Sequence, residues 1–151
     1  MSSTSGTDSG RHFVDSNLLV YANDAVAGEK RIRAQALLDR LWKGRQGCIS
    51  IQVLQEFYVT ATTKIPHPLS ASEAAERLSR YATWRVHEPA PRDILSAIDL
   101  QQEYRVSFWD AMIVQSARSL DCSVLWTEDL NDGQRYAGVL VRNPFLDVVM
   151  E

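Results

Sequence analysis

Short apolar runs recurring between longer stretches of helical periodicity limit most tightly what this chain can fold into. Candidate strands lie at residues 12–14, 48–51, 85–87, 123–126 and 139–141. One helix is expected to begin near Leu18, and others to cover residues 29–43, 52–64, 70–83, 91–104 and 107–120. In 29–43, Ala34, Leu37, Leu38 and Leu41 form one stripe with Lys and Arg opposite, and Gly44 and Gly47 can stop the helix. Ser70-Ala71-Ser72-Glu73 has the form of a capping box, and Pro91 suits a first helical turn. Alternation of strand and helix without an internal repeat predicts an α/β domain around a mostly parallel sheet. Ligands in such folds bind beyond the carboxyl ends of the strands. Asp15 and the stretch "TEDLNDG", residues 127–133, fall at such ends.

The 151 residues suffice for one domain, expected over 12–151 after a disordered polar tail at 1–11. The formal net charge of −3 shows no basic excess of the kind that advertises nucleic acid, although a carboxylate-rich site would mask a basic rim. No apolar run approaches the roughly 18 residues of a membrane span, and the N-terminus lacks the apolar stretch of a signal peptide. Cys48 and Cys122 have no CxxC partner and are expected as reduced core thiols, in keeping with a cytoplasmic location.

Four carboxylates stand out. Asp15 ends the first strand, where a turn or helix N-cap explains it as readily as a ligand role. Asp110 lies between the directions of Ile113, Val114 and Ala117, at about 100° per residue, with Gln115, Arg118 and Ser119 on the other side. A charge on an apolar face is costly unless it is paired or coordinates a metal. Ser107-Phe108-Trp109-Asp110 is equally a possible capping box, so both roles stay open. Glu56 sits on the shoulder of its helix stripe, where a groove rim and a solvated surface are both consistent. In "TEDLNDG", Glu128 is expected to meet solvent or a basic neighbour, Asp132 before Gly133 reads as turn chemistry, and Asp129, two positions past the strand end, is open to a turn or a site role. Hard divalent cations take oxygen ligands, few of them from protein, and carboxylates that converge without a cation repel one another. Such an ion can polarise a phosphoryl oxygen and activate water. Together, these residues point towards phosphodiester hydrolysis.

With those motifs in view, the chain resembles the PIN-domain ribonucleases, especially VapC-type toxins of toxin–antitoxin pairs. "FVDSNLLVYA", "ISIQVLQEFYV", "VSFWDAMIVQSA" and "VLWTEDLNDG" follow the family's order and spacing, over residues 13 to about 147. The resemblance implies a three-layer α/β/α sandwich whose central sheet has about four or five strands. It implies RNA cleavage dependent on Mg²⁺ or Mn²⁺. Asp15 and Asp110 would be the principal metal ligands, with Asp129 a further candidate, and Glu56 would hold a second metal or a metal-bound water. Ser16, Asn17 and Thr127 would orient carboxylates or water. It further implies a homodimer and a small antitoxin whose C-terminal segment enters the active groove. The departure seen, Ser16 where Thr is common, keeps the hydroxyl.

Lys30, Arg31, Arg33, Lys64, Arg105 and Arg135 are expected as solvated surface charges, and Trp42, Trp84, Trp109 and Trp126 as core or interface residues. Leu37, Leu41 or Trp42 are candidates for an antitoxin groove, and helices 52–64 and 70–83 for a dimer interface. Two other classes compete. An Asp-nucleophile phosphatase would want a second Asp in Asp15-Ser16-Asn17, where none stands. A non-catalytic partner-binding domain would use its carboxylates only as caps.

Overall fold

The computed structural model describes residues 10–147. In chain order the elements are β1 (Arg11–Val14), α1 (Ser16–Ala22), α2 (Glu29–Lys43), β2 (Gly47–Ser50), α3 (Ile51–Thr63), α4 (Ala71–Tyr81), β3 (Arg85–His87), α5 (Pro91–Tyr104), α6 (Phe108–Ser119), β4 (Cys122–Trp126), β5 (Arg135–Tyr136) and β6 (Val139–Arg142). One sheet runs in the order β3-β2-β1-β4-β6-β5. Every pairing is parallel except β5 with β6. Helices cover the sheet as the outer layers of an α/β/α sandwich. This is the expected fold, with six strands rather than four or five because a short hairpin closes one edge.

The central strands are apolar without alternation because helices bury both their faces. Phe13, Val14, Ile49, Leu125 and Val141 are fully buried. Gly47 opens β2 because the Trp84 ring lies where a side chain would project: a β-carbon there would meet ring atoms at 2.4 Å. Ile51, expected at the end of a strand, instead begins α3, since Ser50 caps that helix by accepting from the Val53 amide at 3.3 Å. The Ser70 capping box is formed in both directions. Of the expected tail, residues 1–9 lie outside the described residues, while Arg11 already belongs to β1. Cys48 and Cys122 are free and buried. Among the described residues, no helix is long and apolar enough to cross a membrane.

Candidate active site

The parallel order puts the ends of β1 and β4 side by side. The Asp15 amide donates to the Trp126 carbonyl at 3.0 Å, binding the two strand ends together. The chain turns into α1 at Asp15, whose carboxylate accepts from the Ser16 amide at 2.7 Å. Thr127 follows β4, and its hydroxyl donates to the other Asp15 oxygen at 2.8 Å. That hydroxyl also receives the Asp129 amide at 3.1 Å and the Asn17 amide nitrogen at 3.3 Å. Asn17 donates to the Asp129 carboxylate at 3.1 Å. One hydroxyl therefore fixes the strand-end Asp and the loop carrying Asp129.

α3 contributes Glu56. Its two oxygens accept from Ser16 Oγ and from Gln52 Nε2, each at 3.1 Å. Gln52 also reaches the Trp109 carbonyl at 3.3 Å, tying α3 to the first turn of α6. There the Asp110 amide donates to Ser107 Oγ at 3.0 Å. The capping arrangement with Ser107 is therefore formed, Ser107 also bonding the Asp110 side chain, and that side chain lines a cavity.

That cavity, of about 420 Å³, is lined by all four predicted acids, Asp15, Glu56, Asp110 and Asp129. Asp15 is only 4% exposed. Burial is the largest cause that raises its carboxyl to about 7; hydrogen bonds from Thr127 and Ser16 pull it down, and Asp129 and Glu56 push it up. Burial, with Asp129 and Glu56 again, also raises Asp110. These carboxylates therefore feel one another's charge, and a cation among them would relieve the repulsion.

Among the described residues, no three His, Cys, Asp or Glu side chains are grouped so that they could together hold a metal ion. The donor set fits an open Mg²⁺-type site instead, in which one or two carboxylates and several waters surround the ion. A second observation agrees: Asn17 Oδ1 is a buried acceptor with no hydrogen-bond partner. Buried oxygens of this kind are ordinarily satisfied by water or an ion.

Several sequence expectations need correction. Trp109 is not a core residue; it is 62% exposed and lines the acidic cavity. Helical side chains tilt towards the N-terminus, so a residue in the first turn projects past the helix end with no preceding turn to cover it. Lys64 is exposed as expected and also lines this cavity, as does Gln52, which the sequence reading passed over. Lys30 is not a solvated charge: it bonds Glu128 and the Tyr21 hydroxyl, at 3.1 and 3.2 Å, over the Tyr21 ring. Glu128 thereby has the basic neighbour expected of it. Asp132 accepts from the Asn143 amide at 2.8 Å, a loop contact. Leu37 and Leu41 are buried in the core, whereas Trp42 is 39% exposed and, with Leu41, lines a separate cavity of about 600 Å³. Gln115, placed opposite the apolar face, is buried because α5 covers it.

A second polar cluster was not foreseen. Asp93, in the first turn of α5, is buried and accepts from the Ala90 amide at 2.7 Å, Gln115 at 3.0 Å and Ser119 at 3.2 Å. His87 lies 3.5 Å from it and bonds Ser116 at 2.8 Å. This Ser–His–Asp grouping is structural, since Ser116 is only 1% exposed and cannot meet a substrate. With Ala90 at the N-cap, the usual Ser or Thr signature of a capping box is missing.

Comparison with known proteins bears out the fold, and solved structures share it, among them the following three. The chain is 23% identical to a toxin–antitoxin complex from Klebsiella pneumoniae, covering 88% of this chain and 97% of that one at a TM-score of 0.64. It is 19% identical to VapC20 of Mycobacterium tuberculosis, described as a sarcin-ricin loop cleaving toxin, with 76% and 86% covered at 0.58. It is 16% identical to VapBC2 from Rickettsia felis, solved bound to a DNA fragment from its promoter, with 87% and 97% covered at 0.63. Among curated proteins no sequence matches the chain. The PIN domain family model matches residues 12–138, the span that carries all four acids, and the chain belongs to the PIN domain family.

Proposed function

We propose that this chain is an endoribonuclease of the VapC type, the toxin of a toxin–antitoxin pair, which hydrolyses RNA phosphodiesters with Mg²⁺ or Mn²⁺. The observation that carries the reading is the meeting of Asp15, Glu56, Asp110 and Asp129, from four separate parts of the chain, around one cavity. The toxin role and the small antitoxin partner draw support from the structural relatives, one a toxin–antitoxin complex and one described as a sarcin-ricin loop cleaving toxin.

When bound, the metal would polarise a phosphoryl oxygen and acidify an attacking water. Asp15 and Asp110 would hold it, with Asp129 a further ligand and Glu56 receiving a second ion or a bound water. The chain's other residues hold these groups in place. Thr127 and the Ser16 amide fix the two Asp15 oxygens, and Ser16 and Gln52 fix both oxygens of Glu56. Lys64 offers positive charge to a phosphate, and the exposed Trp109 face suits an unpaired base. The exposed side chains of Ile51, Tyr58 and Val59 on α3 are suited to the homodimer contact.

The test is cleavage of RNA with and without Mg²⁺ or Mn²⁺, repeated with Asp15→Asn and Asp110→Asn variants whose folding is checked by circular dichroism. Loss of cleavage in both is expected; wild-type rates would end the assignment. A phosphatase reading fares worse, since a buried Asp15 holding two hydrogen bonds is poorly placed as a nucleophile.

A further inference from the structure

We propose that a small cavity between the end of α1, α2 and α4 is an oxyanion site, made for a carboxylate or phosphate group. It has a volume of about 220 Å³, and its lining includes Asn23, Gln35, Trp42, Arg77, Arg80 and Tyr81. It shares no lining residue with the acidic cavity and does not depend on the nuclease reading.

The decisive feature is Arg77. Its Nη1 is buried and has no hydrogen-bond partner. A guanidinium cannot shed its proton, so this group keeps its charge. The residue as a whole is half-buried, but a guanidinium nitrogen taken out of water without a partner marks a place where an acceptor is missing. Glu73, one turn earlier, has its carboxyl lowered chiefly by the Ser70 amide, which donates to one of its oxygens at 2.9 Å in the capping box; Arg77 is near enough to help, but Glu73 makes no hydrogen bond to Arg77 Nη1. Glu76, the other nearby acid on α4, pairs with Arg80 at 3.6 Å where both are exposed.

Of the other polar groups of the cavity, Asn23 and Gln35 are held by the fold, and Tyr81 has a proton to give. Asn23 donates to the Leu19 carbonyl at 2.8 Å and to the Tyr81 hydroxyl at 2.9 Å. Gln35 donates to the Ala22 carbonyl at 2.9 Å. The Tyr81 hydroxyl accepts from Asn23, which leaves its own proton without an acceptor among the described residues. Arg77 and Tyr81 thus present donors, with Arg80 adding charge at the mouth. An oxyanion supplies the missing lone pairs, and a guanidinium fork matches its geometry. The volume falls below the 300–1,000 Å³ or so usual for whole small-molecule ligands. It suits an acidic side chain of a partner polypeptide or a small free anion, with Trp42 offering an apolar wall to the stem.

The Trp42 indole N–H gives a direct readout in ¹⁵N-labelled protein, assigned by its disappearance in Trp42→Phe. Inorganic phosphate, N-acetylglutamate amide and the neutral N-acetylglutamine amide are titrated at constant ionic strength set with chloride. A saturable Trp42 shift with an anion but not with the glutamine compound is expected. A response to the glutamate compound identifies a polypeptide carboxylate as the source; a response to phosphate alone identifies a free anion. Arg77→Met should weaken binding on the order of tenfold or more, with the fold intact by circular dichroism. If Arg77→Met fails to fold, Arg77→Lys serves, keeping the charge but losing the fork, again with a loss of affinity. The absence of any saturable anion response, or equal affinity in the Arg77 variants, overturns the proposal.

Discussion

The Thr127 hydroxyl lies 2.8 Å from an Asp15 oxygen, although 112 positions separate the two residues. The same hydroxyl receives the amides of Asp129 and Asn17, so it is the hub of the strand-end cluster. Thr127→Val removes that hub and leaves a buried carboxylate oxygen with one partner fewer. Chemical denaturation should show a loss of roughly 1–3 kcal/mol, and Thr127→Ser should recover most of it. Equal stability of the Val and Ser variants would contradict the hub role.

Asp15 gives a pH signature. Its folded carboxyl, raised to about 7 from an ordinary value of 3.8, binds its proton more tightly than the unfolded chain does. Below pH 4 both states are protonated and the group costs nothing. Between about 4 and 7 the unfolded chain binds fewer protons, so unfolding becomes easier as pH rises, and above 7 the full penalty applies. Metal-free Asp15→Asn should therefore be more stable than wild type at pH 7.5, on the order of 2–4 kcal/mol. The gap should close as pH falls towards 4, and Mn²⁺ should narrow it at neutral pH by stabilising wild type alone. A gap independent of pH would refute the burial account.

Within "TEDLNDG" the three acids differ. Asp129→Asn should cut RNA cleavage by tenfold or more if Asp129 serves the metal site. Glu128→Gln releases Lys30 and should show chiefly as lower stability, and Asp132→Asn should leave the rate near wild type. Rate constants measured at saturating metal give the order directly, and a reversed order would show that the site is wrongly placed.

Trp109 is mostly exposed and touches the core's edge through the Phe108 ring, 5.1 Å away between centroids, so Trp109→Ala should change the melting temperature little. For a single-stranded RNA substrate it should raise KM roughly tenfold, with kcat less affected, as loss of one stacked base implies. Trp109→Phe should restore most of the affinity. An unaltered KM in the alanine variant would remove Trp109 from substrate binding.

Asp93 carries the opposite pH signature. The Ala90 amide, then Gln115, His87 and Ser119, hold its carboxyl below the ordinary carboxylate range. Its contribution is present above the unfolded value and is lost as pH falls through the lowered folded value. Asp93→Asn should cost roughly 1–3 kcal/mol at neutral pH, a difference that shrinks in acid, while RNA cleavage by the folded protein stays intact.

The sequence by itself determined the alternation of elements, because strands buried on both faces must be apolar and the helices between them must carry a stripe. It also offered Asp15, Glu56, Asp110 and Asp129 as candidates; each had a local explanation as a cap, a turn or a surface acid, and the order of the four motifs was what joined them. Tertiary structure decided what depends on parts of the chain far from one another. Convergence of the four acids requires β1 beside β4 and α3 beside α6, a pairing that no local pattern encodes. The exposure of Trp109 follows from the end of a helix, and the burial of Asp93 and Gln115 from the packing of α5 on α6. Arg77 reads in sequence as one more surface arginine on an amphipathic helix. Its unpaired nitrogen exists only because α1, α2 and α4 close around it while Glu73 is occupied at the helix cap. Periodicity reports which face of an element is buried; what that face meets is set by contacts between residues distant in the chain.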